Sequence, residues 1–500
     1  MTYHAAGMTN NRASQYGTAL FIVAIAFGLA LAALRVLFDQ FDTDELQHAH
    51  IAWLTAGGQV PYRDFWEHHG PIYSLLNAKL IVLAGMAPGM DLLFSLRAIN
   101  WVLGVGLLLL TFRLAIATGA SRVGGIAAAA LLAAAYFFQE VATEIRPDAL
   151  QNLCWLGGVL LVVRQLQRPA VATALAAGML LGLAVITNTK AILGPVFIAV
   201  FYAVAGMAGW LRTRRVATDL LLLAAGALVP LAAILAWFWR LDALEPFLRM
   251  TTLWNLGALS TERNLPLAVA NLSFMLTRQT PLWVAVVAGA GLVLQAARQA
   301  APATVQARVL VLVAGAGTAA LWVVNDFYPQ YLLICLPLLA VTGGPGLLAL
   351  GSIAGRAVRW SEARALLVVA GASLFYLLGM AVARTPTADH PNLLRQRELT
   401  AFMLQNTARD EPVGLFFSSC AGYVFNRNLG YWWAVDAGIG LVTERQSGAN
   451  PFGPALLAQL QESGLQYFVG RPEVVARLPE ATRASIDAQF SYADCLWTRR

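Results

Sequence analysis

The chain has 500 residues, of which 58% are hydrophobic and only 12% are charged, and its mean hydropathy is +0.63. This composition excludes a string of ordinary soluble domains. The formal net charge of +7 comes almost entirely from arginines, which lie mostly in short loops without a basic helix or an aromatic-interleaved basic patch, so nucleic-acid binding is excluded as well.

Nearly charge-free apolar runs of about 18 to 22 residues recur along the chain, and this is the length that a helix needs to cross a bilayer. Because hydrocarbon offers the backbone no hydrogen-bond partner, such runs form helices. The pattern predicts an all-α polytopic membrane protein with about eleven transmembrane helices. The predicted spans are residues 17–38, 92–115, 122–138, 148–165, 170–187, 190–208, 217–239, 279–299, 306–324, 330–351 and 364–384.

The arginines of the short loops predict how these helices are oriented. Every short loop on the side of the N-terminus carries arginine, whereas the short loops TNTK (187–190) and NDFYPQ (325–330) on the other side carry little positive charge. The first apolar run lacks a basic n-region and an A-x-A cleavage site, so it is predicted to be a retained helix. The positive-inside rule therefore predicts a cytoplasmic N-terminus.

This orientation places three longer segments on the outer side, namely residues 39–91, 240–278 and 385–500. The stretch PIYSLLNAKLIVLAGM (71–86) is apolar but short, and we expect a helix that lies in the outer interface. In 385–500, short β-like runs alternate with helical patterns, which predicts a small extracytoplasmic α/β domain after a transmembrane domain formed by 1–384. Two cysteines of this tail, Cys420 and Cys495, could pair there.

An acidic, imidazole-rich segment follows the first predicted helix. It reads DQFDTDELQHAH, and EHHGP closes the same loop. Asp44 and His48 are four residues apart and share a face if a helix begins near Asp44. Acids that can act as a general base here accompany isolated cations that can hold a phosphate, including Lys190 at a hairpin tip at the membrane edge. Ionisable groups at this level of a membrane protein are candidates for function.

Simpler interpretations remain open for each residue. The acids of the first loop could form a solvated loop, and the His68–His69 pair could be interfacial, since two adjacent histidines are not a metal-binding motif. Lys190 could extend its ammonium group to the interface. Arg146 and Asp148 could form a local ion pair at the start of a helix.

Four motifs, taken in order, resemble the GT-C-fold glycosyltransferases of bacteria that use lipid-linked sugars. The branch is that of the protein mannosyltransferases and the aminoarabinose and galacturonic acid transferases of lipid A. The resemblance covers most of residues 17–384. It is carried by the acidic pair Asp44-Glu45 with GGQVPYRDFWEHHGPIY, then by IRPDAL, LAVITNTKAILGP and FYPQYLLICLPLLA.

The resemblance implies roles for single residues. Asp44 would be the catalytic base, and Glu45 would position the acceptor or a metal. Lys190 and Arg146 would hold the phosphate of the donor. His69 stands where many relatives have a lysine, so it would need to be protonated to hold phosphate. The candidate substrate-binding residues are His48, Arg63, Glu67, His68, Asp148, Tyr328 and Tyr331.

The implied function is a membrane glycosyltransferase that moves a sugar from a polyprenyl-phosphate donor to an acceptor hydroxyl, with inversion at the anomeric carbon. The acceptor would be an envelope glycan, a lipid or a protein at the outer face of the bacterial inner membrane. A divalent cation could take part. The alternative is a transporter or flippase for a lipid-linked or anionic solute, although the charges cluster at the outer edge and no repeat is evident.

Overall fold

The computed structural model describes residues 2–254, 265–299, 302–323, 329–383, 390–408, 411, 413–415, 425–426, 465–470, 472–476 and 480–500. The described part is mainly helical. The helices are α1 Thr2–Phe38, α2 Thr43–Ala56, α3 Ile72–Leu83, α4 Met90–Ala117, α5 Arg122–Ala134, α6 Tyr136–Val141, α7 Asp148–Gln167, α8 Val171–Thr187, α9 Leu193–Met207, α10 Thr213–Arg240, α11 Leu244–Leu248, α12 Leu265–Arg278, α13 Thr280–Gln299, α14 Ala303–Val323, α15 Leu336–Ala357, α16 Glu362–Val382, α17 Pro391–Asn406, α18 Pro472–Val475 and α19 Glu480–Gln489. Short 3-10 segments cover Thr189–Ile192 and Pro329–Ile334, and a π-helical turn covers Arg249–Trp254.

Within the described ranges, nine helices are long and apolar enough to cross a membrane. The two further predicted spans, 122–138 and 170–187, are present as shorter apolar helices. The first of them breaks at Ala135, whose backbone is extended, between α5 and α6. The Gln139 side-chain amide donates to the carbonyl oxygens of Gly28 and Ala133, at 2.9 and 2.5 Å, and so pairs a carbonyl that the break leaves without a helical partner. Among the described residues, nine of the eleven predicted spans are thus present at full length, and the other two are helical but shorter.

The loop after α1 contains two helices that do not span. Helix α2 is buried along most of its length, and α3 is amphipathic, with Leu76, Leu80 and Leu83 exposed. The helix expected within 71–86 is confirmed as α3, which has 12 residues and is too short to cross a bilayer.

The C-terminal segment combines α17, α18 and α19 with a small sheet. Its strands are β1 Gly414–Leu415, β2 Tyr467–Val469, β3 Phe490–Ala493 and β4 Leu496–Arg499, in the order β1-β2-β4-β3. The β1–β2 pair is parallel, and the other pairs are antiparallel. Cys495 is disulfide-bonded, and Cys420 lies outside the described residues.

This segment packs on the first outer loop. One buried hydrophobic cluster contains Phe41 and Leu46 from that loop together with Leu393, Met403 and Val469 from the C-terminal segment. The Gln396 side chain accepts from the Phe41 N–H at 2.9 Å and donates to the Phe41 carbonyl oxygen at 2.7 Å. The C-terminal segment therefore holds the backbone immediately before the acidic pair.

Candidate active site

The acidic pair lies in the first turn of α2, and a capping box fixes where that turn begins. The Asp42 carboxylate accepts from the Glu45 N–H at 2.8 Å, and the Glu45 carboxylate accepts from the Asp42 N–H at 3.2 Å. This reciprocal pair satisfies two backbone donors at the helix start. Because the start is fixed, successive side chains of the helix project in set directions, and Asp44 and Glu45 face different surroundings.

Glu45 is buried, with 1% of its side chain exposed, and its carboxylate is saturated with donors. The Arg97 guanidinium donates to both oxygens, from Nε at 2.7 Å and from Nη2 at 2.5 Å. The Ile145 N–H donates to the same carboxylate at 3.0 Å. Arg97 also donates to the carbonyl oxygens of Asp39 and Gln40, at 2.7 Å each. Glu45 thus ties the start of α2 to α4 and to the second outer loop.

Asp44 points into open space instead. Its side chain retains 43% of its accessible surface, although protein surrounds the carboxylate on most sides, as expected for a group that lines a cleft. Among the described residues its ion-pair partner is Arg146, whose Nη2 donates to Asp44 Oδ2 at 2.5 Å. Burial by itself would raise the pKa of Asp44, but Arg146, His48, His69 and Lys190 together hold this pKa well below its ordinary range.

Arg146 is a shared cation. Its side chain is only 7% exposed, and four carboxylates surround it, those of Asp44 at 2.5 Å, Asp42 and Glu144 at 3.5 Å and Asp148 at 3.6 Å. Burial, with the neighbouring carboxylates Asp44 and Glu45, raises the pKa of Asp42 to about 6, against the opposing effect of Arg146. Burial and Asp42 raise the pKa of Glu144 well above its usual value. Arg146 therefore partly neutralises a group of acids whose simultaneous ionisation costs free energy, because their negative charges repel one another.

The far end of the first loop approaches the end of α8. A Cβ added to Gly70 would lie 1.6 Å from the Ile186 carbonyl oxygen, so only glycine permits this approach. The Tyr62 hydroxyl donates to the His69 carbonyl oxygen at 2.6 Å and fixes the turn before Gly70. Through this contact the histidines of the loop come close to the Asn188–Lys190 hairpin.

Glu67 organises the histidines. It is buried, and its Oε1 accepts from the backbone N–H groups of His68 and His69, at 2.7 and 2.6 Å, and lies 2.8 Å from His69 Nδ1. The His48 ring packs edge-on against the His69 ring, with 4.6 Å between the ring centroids. Asp44 and His48 lie on the face of α2 that is turned towards the histidines of the loop, as their spacing of four residues predicts.

The imidazoles of the cluster are neutral near pH 7. Burial, with Lys190 and Arg146 nearby, lowers the pKa of His69 to about 3, and burial and His69 lower the pKa of His48 well below its usual value. Burial also lowers the pKa of His68. A lowered pKa disfavours the protonated form that His69 would need to hold phosphate, and its phosphate-binding role stays a prediction.

Lys190 supplies a second cation near Asp44. It lies in the 3-10 segment that follows α8, where the Asn188 side chain accepts from the Lys190 N–H at 3.2 Å. Its ammonium group lies 3.9 Å from the centroid of the Tyr331 ring, a cation–π contact that orients the side chain. The charge of Lys190 is close enough to lower the pKa values of Asp44 and His69.

The structure describes three further predicted site residues. Arg63 donates to the adjacent Asp64 and to the Leu241 carbonyl oxygen, so its contacts are with the corner after α10. The His68 ring packs on Trp66. Asp148 begins α7 beside Arg146. Tyr328 lies outside the described residues.

Two further residues contribute to the site. Asp42 could have been recognised, because an acid three residues before Glu45 is the signature of a capping box. Arg97 is expected from the sequence to pair with an acid, but the sequence does not show which one, since it meets Glu45 from 52 residues away along the chain.

Asp44 is therefore an accessible carboxylate that is paired with one cation and lies near a second. Asp44 can accept a proton, while Arg146 and Lys190 can bind an anion close to it.

Comparisons with known proteins bear on the fold. No protein-family model and no curated protein sequence matches the chain. Among solved structures, ArnT from Cupriavidus metallidurans bound to undecaprenyl phosphate is 14% identical with a TM-score of 0.60, over 96% of this chain and 98% of ArnT. The Archaeoglobus fulgidus oligosaccharyltransferase tethered with an acceptor peptide is 13% identical with a TM-score of 0.62, over 95% and 72% of the two chains. The same organism's AglB, in complex with an inhibitory peptide and a dolichol-phosphate, is 12% identical with a TM-score of 0.61, over 97% and 74%.

ArnT shares its architecture with the present chain over nearly its whole length, whereas the chain covers 72% and 74% of the two oligosaccharyltransferase structures. At this level of identity they establish the fold and leave the chemistry to the residues of the cleft. The chain thus has the fold of ArnT and of the AglB oligosaccharyltransferase, which confirms the GT-C fold that the sequence resemblance predicts.

Proposed function

We propose that this protein is a membrane glycosyltransferase that moves a sugar from a polyprenyl-phosphate donor to an acceptor hydroxyl, with inversion at the anomeric carbon. The observation that carries the proposal is the accessible Asp44 carboxylate, which is paired with Arg146 and lies close enough to Lys190 for that charge to lower its pKa. The shared fold supports the donor class, since ArnT is bound to undecaprenyl phosphate and AglB to a dolichol-phosphate.

In the proposed reaction, an Asp44 carboxylate oxygen takes the proton of the acceptor hydroxyl. The acceptor oxygen attacks the anomeric carbon from the face opposite the phosphate, and the bond between that carbon and the phosphate oxygen breaks. The electron pair leaves with the polyprenyl phosphate, whose charge the nearby cations stabilise. A phosphate balanced in this way is a good leaving group, so a base and cations matter more than a strong general acid.

Arg146 links the two halves of this scheme. While it is paired with Asp44, the carboxylate is a weak base, because its pKa lies far below neutral pH. A donor phosphate that binds at Lys190 competes for the Arg146 guanidinium and loosens the Asp44 pair. The pKa of Asp44 then rises, so the base becomes stronger when the donor is present.

Glu45 acts as a positioning residue in this proposal. Both of its oxygens are occupied by Arg97 and by backbone N–H groups, so it holds α2 in place and contacts neither the sugar donor nor the acceptor.

The first loop and the C-terminal segment face the periplasm, as the loop arginines predict, with the cleft at the outer edge of the inner membrane. The acceptor is a hydroxyl of an envelope glycan, a lipid or a protein.

The test is an assay in isolated membranes with a panel of labelled polyprenyl-phosphate sugars. Wild-type protein is expected to transfer label from one donor to an acceptor, and Asp44→Asn to bind that donor without transferring it. Normal transfer by Asp44→Asn contradicts the assignment of the base. Movement of the donor across vesicle membranes, without transfer by the wild type, favours the transporter alternative.

A further inference from the structure

We propose that His48, Glu67 and His69 form a binding site for one divalent metal ion of the zinc class, beside the Asp44 cleft. One ligand atom from each of the three residues lies within 4.8 Å of the other two. The role of the ion in catalysis rests on the proposed function, but its binding does not.

The three side chains come from two segments that the fold brings together. His48 lies on α2, whereas Glu67 and His69 lie at the end of the first outer loop, where Gly70 allows close contact with α8. Two imidazoles and one carboxylate are a common ligand set for zinc, and three protein ligands leave a fourth position open for water or a substrate oxygen. The two adjacent histidines did not suggest a site in the sequence, because the effective partners are His69 and the distant His48.

The geometry requires only a small contraction. Zinc binds nitrogen and oxygen at about 2.0–2.2 Å, so ligand atoms of a tetrahedral site lie about 3.4 Å apart. His69 Nδ1 and Glu67 Oε1 are already 2.8 Å apart, and the ion would replace the hydrogen bond between them. Glu67 Oε1 would keep the backbone N–H groups of His68 and His69, which orient it as the outer shell of a metal site does.

Two features of the cluster are otherwise unexplained. The His48 side chain is buried, with 3% of its surface exposed, yet its ring forms no hydrogen bond with any residue in the described part of the chain. Glu67 is equally buried, and among the described residues its only ion-pair partners are His68 and His69, with no lysine or arginine in reach. A buried imidazole needs a polar partner and a buried carboxylate is stabilised by a cation, and one metal ion supplies both.

The site is separate from the acids around Arg146. Those carboxylates already share an arginine, whereas the His48–Glu67–His69 cluster holds no formal cation. His48 lies one helical turn beyond Asp44, so the ion would fasten the loop end to the same helix face that presents the base.

The experiment measures metal binding on the full-length chain in detergent, purified with a tag that contains no histidine. The protein is stripped with a chelator and titrated with Zn²⁺ against a chromophoric competitor, and bound metal is counted by elemental analysis. One ion per chain is expected for the wild type. X-ray absorption at the zinc edge should show two imidazoles with further nitrogen or oxygen ligands and no sulfur.

Variants test the assignment of the ligands. Glu67→Gln and His48→Gln should each weaken Zn²⁺ binding by about 100-fold or more, since losing even an outer-shell partner costs about 10–100-fold. His390→Gln, at the start of α17, is the matched control and should bind as the wild type does. Absence of stoichiometric zinc in the wild type, or equal binding by Glu67→Gln and the wild type, overturns the proposal. The absorption spectrum of the wild type decides the question even if a variant fails to fold.

The Asp44→Asn variant separates this inference from the proposed function. It should keep its zinc and lose sugar transfer. If the wild-type protein binds zinc at the three residues but transfers no sugar, the metal site is supported and the proposed function is contradicted. Sugar transfer by a wild-type protein that binds no zinc would support the proposed function and overturn the metal site.

Discussion

Two ion pairs at the start of α2 use the same residue types and differ in their surroundings. The pair of Arg97 and Glu45 is buried, bidentate and surrounded by backbone donors. The pair of Arg146 and Asp44 has one short contact, a carboxylate that is 43% exposed and an arginine shared with three other acids. A carboxylate whose oxygens are all occupied can only stabilise the structure. A partly exposed carboxylate can exchange its partner for a substrate group. The contrast assigns structure to Glu45 and chemistry to Asp44.

The largest expected effect is on the open pair. Asp44→Asn should lower kcat by roughly 10²–10⁴-fold, which is the usual contribution of a general base. Because the side chain is partly exposed, the thermal midpoint should change little. Initial rates of sugar transfer and a melting curve of the detergent-solubilised protein check both parts. If Asp44→Asn loses its fold together with its activity, Asp44 has a structural role like that of Glu45.

The buried pair should behave in the opposite way. Arg97→Gln leaves the Glu45 carboxylate buried without its cation, which typically costs about 3–5 kcal/mol of unfolding free energy. We expect poor yield and a lowered unfolding midpoint, measured by denaturation in detergent. The control is Arg63→Gln, which removes an exposed pair with Asp64 and should leave the midpoint almost unchanged. Similar midpoints for the two variants would remove the distinction between the pairs.

The third prediction concerns pH. Arg146 lowers the pKa of Asp44, so Arg146→Gln should raise that pKa and move the acidic limb of the kcat/KM profile to higher pH. In the wild type the ionised form, and the stability that it contributes, is fully present above the unfolded-state pKa of 3.8 and is lost as pH falls through the lower folded-state value.

Arg146→Lys keeps the positive charge and is the matched control for this profile. The acidic limb should stay near its wild-type position, because the charge is kept. Binding of the sugar donor should weaken, because a lysine ammonium cannot replace the planar set of hydrogen-bond donors of a guanidinium group. An acidic limb that stays fixed in Arg146→Gln would show that Arg146 does not set the basicity of Asp44.

The sequence predicts one member of this comparison well and the other poorly. Asp44 could be singled out because an acidic pair follows an apolar helix and His48 lies four residues later. That Glu45 is buried could not be foreseen, because its partners are Arg97 and Ile145, 52 and 100 residues away. Successive residues of a helix point about 100° apart, so the roles of two adjacent acids depend on where α2 begins.

The same limit applies to the fold. Hydropathy locates the long helices because burial in lipid demands apolar runs of sufficient length. It does not locate the break at Ala135, which depends on the Gln139 amide reaching a carbonyl of α1. Nor does it show that the C-terminal segment packs on the first loop, since contacts between residues some 355 positions apart leave no local pattern.

The smallest expected effect comes from that contact. Gln396→Met keeps the size of a fully buried side chain but leaves the Phe41 N–H and carbonyl groups unpaired beside the acidic pair. A buried backbone group without a partner costs about 1–3 kcal/mol, so the unfolding midpoint should fall by less than in Arg97→Gln. Because Phe41 precedes the cap of α2, kcat should fall several-fold as Asp44 loses its fixed position. Glu398→Gln, on the exposed face of the same helix, should change neither quantity. If Gln396→Met lowers the midpoint without touching kcat, the C-terminal segment stabilises the first loop but does not position its base.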